Sequence, residues 1–147
     1  MSKISIFYAD DDEDDLMFFN DAVESVSSKS NLLIQLHIHK NGENLVTNIK
    51  EQKPENGVVF LDLNMPKKSG FDILEEIRNE PEINQFPVVI YSTSSDKSDI
   101  ELSLNLGANF YAIKPYNFND LMKMIQNVIK INWNNHRVDI DNFLLIK

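Results

Sequence analysis

Three clusters of side chains in this chain have the types and order needed for chemistry on a phosphoryl group or a hard cation. A short apolar run, Ile4-Ser5-Ile6-Phe7-Tyr8-Ala9, leads straight into Asp10-Asp11-Asp12. A second run, Val58-Val59-Phe60-Leu61, ends in Asp62. A third, ending at Ile113, is followed by Lys114 and Pro115. Carboxylates brought together repel one another, and the arrangement is stable only if a cation joins them or one carboxyl stays protonated. Oxygen donors without sulfur or nitrogen suit a hard divalent cation.

Positioning these groups requires strands that end on one edge. The chain alternates short β-rich runs with longer amphipathic runs. Strands are expected at Ile4–Ala9, Leu32–His39, Val58–Asp62, Val88–Ser92 and Phe110–Ile113. Helices are expected over Asp14–Val26, near Glu43–Gln52, after Ser69 as N-cap, from Ser95 or Asp96 to Gly107, and from Tyr116 to about Trp133. The first, third and fourth strands are continuously apolar, as in strands covered on both faces. The second alternates and reads as an edge. Five strand–helix repeats predict an α/β fold: a flavodoxin-like, doubly wound (βα)5 parallel sheet of order 2-1-3-4-5, with helices on both faces. In that order the first and third strands flank the switch point, so Asp10, Asp11, Asp62 and Lys114 converge on one crevice.

Composition narrows the function. The 147 residues carry a formal net charge of −9, which disfavours nucleic acid as a partner. There is no cysteine, hence no disulfide, thiol catalysis or thiolate metal site. No apolar run has the length of a membrane span or the layout of a signal peptide, so a cytoplasmic protein without a membrane partner is expected.

The motifs resemble the receiver domain of two-component response regulators, of the single-domain, chemotaxis-regulator-like type. The resemblance rests on Ala9-Asp10-Asp11-Asp12, on Phe60-Leu61-Asp62-Leu63-Asn64-Met65-Pro66-Lys67-Lys68-Ser69-Gly70, on Ile90-Tyr91-Ser92-Thr93, on Gly107-Ala108 and on Ile113-Lys114-Pro115. It runs in order from about Ile4 to about Lys130. It implies that Asp62 is the phosphoacceptor. Asp11 would ligate Mg²⁺ directly, Asp10 through a water, and Asn64 through its backbone carbonyl. Ser92 and Lys114 would bind the phosphoryl group, Ser92 and the aromatic Tyr111 would form the switch, and the Lys114–Pro115 bond would be cis. Ser92 stands where threonine is commoner in the family. Thr93 stands where a small residue is usual, which would narrow access to Asp62 and place another hydroxyl beside the phosphoryl group.

The resemblance also implies the partners: a histidine kinase or phosphotransfer protein as donor, and an unidentified downstream protein contacted directly. The only catalysis expected is self-catalysed phosphotransfer and autodephosphorylation. Two other readings compete. One is a receiver-like interaction module that works without phosphate. The other is a haloacid-dehalogenase-like phosphatase, disfavoured because Asn64 stands where that family needs a second, proton-transferring aspartate.

Asp12, Asp14 and Asp15 read as a solvated helix start, since acids favour that end of a helix. His37 and His39 read as exposed edge residues. Residues 1–131 are expected to form the receiver, and 132–147 a C-terminal extension without a domain of its own. The extension's apolar residues, Val138, Ile140, Phe143, Leu144, Leu145 and Ile146, either fold back onto the chain or meet a partner, including a second copy in a homodimer.

Overall fold

The computed structural model describes residues 2–145. Its elements are β1 (Ser2–Asp10), α1 (Glu13–Lys29), β2 (Leu32–Lys40), α2 (Leu45–Gln52), β3 (Gly57–Leu61), α3 (Gly70–Asn79), β4 (Val88–Ser92), α4 (Lys97–Asn105), β5 (Phe110–Ile113), α5 (Phe118–Ile129), a 3₁₀ turn (Ile140–Asn142) and β6 (Leu144–Leu145). All neighbouring strands pair in parallel, in the order β2-β1-β3-β4-β5-β6. The expected doubly wound sheet is present, with a sixth strand added at its β5 edge.

Strand residues alternate between two cores. Ile6, Tyr8, Phe60, Tyr91 and Ala112 face α1 and α5, packing on Phe19, Val23, Leu121 and Ile125. Phe7, Ala9, Leu61, Ile90 and Tyr111 face the other layer, packing on Leu45, Ile49, Ile73, Leu74 and Ile77 of α2 and α3. The fully buried β3 and β4 have the continuous apolar sequences that two covered faces require. No helix among the described residues is long and apolar enough to cross a membrane.

Local signals set the helix ends. Asp12 caps α1 by accepting from the Asp14 and Asp15 N–H groups. Ser69 and Asp72 form a reciprocal capping box at α3. Gly107, at φ +97°, lets the chain reverse after α4. The last helix is shorter than its apolar pattern suggests. It begins at Phe118, because Asn117 caps it through the Asp120 N–H, and it ends at Ile129.

The tail folds back. Phe143 is buried in the α2–α3 layer, and its carbonyl accepts from the Tyr111 N–H at 3.0 Å. Leu144 and Leu145 then pair with Tyr111 and Ala112. Trp133 stacks edge-on against Phe110. Val138 and Ile140 remain exposed, and Ile146 lies outside the described residues.

Two further expectations fail in this part of the fold. The Lys114–Pro115 bond is trans, as is every peptide bond described. The trans form is the intrinsically favoured isomer, and the Lys114 N–H still bonds Ser92 O at 2.8 Å, which continues the ladder into the site. His37 and His39 are half-buried rather than exposed, because both rings stack on Phe7. The His39 ring also meets Glu43 O and the Asn48 side chain, which ties β2 to the start of α2.

Candidate functional site

The same alternation that builds the core builds the site. Asp10 follows Tyr8 by two, Asp62 follows Phe60 by two, and Lys114 follows Ala112 by two. Each therefore belongs to the α1–α5 parity of its strand. β1 and β3 are in register at Ala9 and Leu61, and the Asp62 N–H bonds Ala9 O at 3.0 Å. The next step of that register brings Asp10 and Asp62 side by side. Carboxylate oxygens of Asp10, Asp11 and Asp62 lie within 4.8 Å of one another.

Asp10 is completely buried and firmly held. Its Oδ2 accepts from the Tyr8 hydroxyl and from Lys114 Nζ at 2.8 Å, and its Oδ1 accepts from the Asp12 N–H at 3.1 Å. Asp11 is half-buried, and its carboxylate has no hydrogen-bond partner among the described residues. Asp62 is buried, with Lys114 Nζ 3.3 Å from its Oδ1. Burial pushes the Asp62 carboxyl up. The Lys114 charge pulls it back and the Asp10 charge raises it again, leaving it pushed up to about 7.

Burial alone would lower the Lys114 ammonium. Its bonds to Asp10 and Asp15 outweigh this, and Lys114 is held above the usual lysine value. The Tyr91 ring lies beneath it, 5.5 Å from Nζ to the centroid. Burial, then the adjacent Asp10 charge, raise the Tyr8 phenol far beyond titration, so it stays a donor.

Behind Asp62, α3 begins so close that a Cβ added at Gly70 would lie 2.4 Å from the Asp62 carbonyl oxygen. Only glycine permits this approach without a backbone shift.

Ser92 and Tyr111 occupy the opposite parity, toward α2 and α3. Ser92 is completely buried and its Oγ accepts from the Ser94 N–H at 3.1 Å. Tyr111 is completely buried, and its hydroxyl donates to Ser94 O at 2.9 Å. Both thus fix the same β4–α4 loop. Asn64 and Thr93 are exposed.

Residues 6–126 match the sequence profile described as the response regulator receiver domain. The chain belongs to that family. Receiver sequences similar to it include response regulator Rcp1 of Synechocystis, 40% identical over 78 residues, or 53% of each chain. Chemotaxis protein CheY1 of Helicobacter pylori is 27% identical over 75 residues, covering 51% of this chain and 60% of that one. The chain thus spans about half the length of the curated relatives it matches. Structural likeness extends further. The Mn²⁺-bound form of Rcp1 superposes with a TM-score of 0.71 at 26% identity, covering 92% of this chain and 98% of the other. The phosphorylated cyanobacterial phytochrome response regulator RcpA superposes with a TM-score of 0.71 at 27% identity, covering 90% and 95%.

Three contributors to this receiver's site were not singled out from sequence. Tyr8 carries a usable signal: a tyrosine two residues before a buried-type aspartate lies on its face of the strand. Tyr91 carries the same two-residue relation to Thr93 and no charge, so nothing marked it. Asp15 is a correction. It is not simply solvated, because its Oδ2 lies 2.8 Å from Lys114 Nζ. Its place on the first turn of α1 turns it inward, whereas Asp14 next to it is exposed. Nothing in a run of six acidic residues distinguishes the two.

Proposed function

We propose that this receiver accepts a phosphoryl group on Asp62 from a histidine kinase or phosphotransfer protein and signals by direct protein contact. The observation that carries this reading is the buried Asp62 carboxylate, whose ion-pair partner is Lys114 and which adjoins two further carboxylates. A carboxylate in that setting can act as a nucleophile once a cation offsets its neighbours' charge.

The donor set fits a hard divalent cation. It offers only oxygen, Asp11 has no other partner among the described residues, and one ammonium faces the carboxylates of Asp10, Asp15 and Asp62. Asp11 and Asp62 would hold Mg²⁺ directly, with the Asn64 backbone carbonyl, and Asp10 through a water. Mg²⁺ when bound supplies positive charge against the phosphoryl oxygens. An Asp62 oxygen attacks the phosphorus of the donor's phosphohistidine. The P–N bond breaks, its electron pair stays with the imidazole, and an acyl phosphate remains on Asp62. Lys114 counters the charge of the transferring group, and the Ser92 hydroxyl donates to it.

Ser92 and Tyr111 then form the route outward. Both hold Ser94 of the β4–α4 loop, so drawing Ser92 toward a phosphoryl group releases the Ser94 N–H and alters the loop that Tyr111 secures. Thr93, which is exposed, would offer a further hydroxyl. The product is a signalling state rather than a released metabolite.

Acetyl phosphate with Mg²⁺ tests the reading. Mass spectrometry should show one added phosphoryl group in the native chain and none in Asp62→Asn. Equal modification of that variant would refute the assignment.

A further inference from the structure

Three carboxylates surround the Lys114 ammonium, which has three N–H donors to offer. Asp10 Oδ2 and Asp15 Oδ2 each lie at 2.8 Å, and Asp62 Oδ1 at 3.3 Å. The two close partners differ in their surroundings. The Asp10 side chain is wholly buried and is held also by Tyr8 and by the Asp12 N–H. The Asp15 side chain is 36% exposed, and Lys114 is its one ion-pair partner among the described residues.

We propose that Asp15 is a positioning residue that holds Lys114 off Asp62 in the resting site and is the partner Lys114 releases when Asp62 carries a phosphoryl group. The proposal rests on the phosphoacceptor reading above. Its reason is a difference in cost. An aspartyl phosphate carries nearly two negative charges where the carboxylate carried one, and it sets three strong acceptor oxygens beside Lys114. Lys114 Nζ is hydrogen-bonded to Asp10 and Asp15 and stands back from Asp62, so a closer approach to a group on Asp62 draws it away from one of the two bonded carboxylates. Giving up Asp10 leaves a buried carboxylate short of its counter-charge, which is strongly unfavourable. Giving up Asp15 returns a half-exposed carboxylate to water, and exposed pairs are weak. Asp15 therefore yields, and its attraction for Lys114 sets how readily the phosphoryl state forms. Asp62 and Asp15 compete for one cation.

A charge at the start of α1 also acts on the helix dipole, so the test must isolate the route through Lys114. Beryllofluoride, a phosphoryl mimic, is titrated with Mg²⁺ into the native chain and into Asp15→Asn. The variant should bind about 1.5- to fivefold more tightly, the range set by losing a partly exposed ion pair. Asp15→Glu should restore the native value. In a Lys114→Ala background the same Asp15→Asn change should leave affinity unaltered. A second readout follows the Lys114 side-chain ¹⁵N resonance, with Mg²⁺ present throughout. The resonance should differ between the native chain and Asp15→Asn before beryllofluoride is added, and coincide afterward, because the Asp15 bond is then absent in both. Equal affinities of the native chain and Asp15→Asn, a gain that persists without Lys114, or resonances that still differ in the bound form would each overturn the proposal. No binding of beryllofluoride by the native chain would instead defeat the phosphoacceptor reading beneath it.

Discussion

Lys114 Nζ lies 2.8 Å from Asp10 Oδ2, although 104 residues separate the two in sequence. The pair closes the site across the sheet, from the end of β1 to the end of β5. Both members are nearly or wholly buried. Such a pair contributes little net stability when intact, but losing one member leaves an uncompensated charge. A metal-free receiver should therefore tolerate Lys114→Ala poorly, and Mg²⁺ should recover part of the loss by taking over the positive role.

Tyr8→Phe removes one donor from the same Asp10 oxygen. A hydrogen bond to a charged acceptor contributes about 1.5–3 kcal/mol, and Lys114 and the Asp12 N–H remain to share the load. Urea unfolding of the metal-free protein near neutral pH should show a loss of about 1–2 kcal/mol. Unchanged stability would mean that the Tyr8 hydroxyl is not holding Asp10.

Gly70→Ala places a methyl group against the Asp62 carbonyl, at the 2.4 Å separation that no carbon–oxygen pair tolerates. Either α3 or the Asp62 backbone must move. Overpacking of this kind costs about 1–3 kcal/mol. The distinctive expectation is a slower reaction with acetyl phosphate in the folded fraction, because the clash falls on the backbone of the nucleophile. A variant that lost stability but reacted at the native rate would place the strain on α3 alone.

The fold was legible because covered strands and amphipathic helices carry different periods. The convergence of Asp10, Asp62 and Lys114 was legible because all three follow strands that must end on one edge. Asp15 was not, since the choice between water and Lys114 depends on the rotation of α1 against β5. Trp133 carried the apolar pattern past the true end of α5, because its ring packs on Phe110 without being helical. β6 has two residues, and its pairing follows from Phe143 filling a core position rather than from any strand pattern.

Phe143→Ala should show how far that tail contributes. A buried phenylalanine replaced by alanine costs about 3–5 kcal/mol, and the backbone bond from Tyr111 to Phe143 depends on the same anchor. The melting temperature should fall clearly. If it does not, β6 is an attachment that the β5 edge can do without.

The raised Asp62 carboxyl makes cation binding depend on pH. Below about 7 the folded, metal-free protein keeps on this group a proton that the unfolded chain loses near 3.8. Its contribution to stability is therefore present at low pH and declines as pH rises from about 4 to about 7. Mg²⁺ must displace that proton, so it should bind more tightly as pH rises through 7. Calorimetry in buffers of different ionisation enthalpy should find protons released at about pH 6 and fewer at about pH 8. Equal release at both would show that Asp62 is already ionised.

The central claim is that Asp62 takes up a phosphoryl group. Chemical reduction of an acyl phosphate converts the aspartate into homoserine, which peptide mapping locates. After incubation with acetyl phosphate and Mg²⁺, homoserine should appear at position 62 and nowhere else, and should be lost when Mg²⁺ is chelated. Homoserine at another acidic position, or none under conditions where Mg²⁺ binds, would contradict the account.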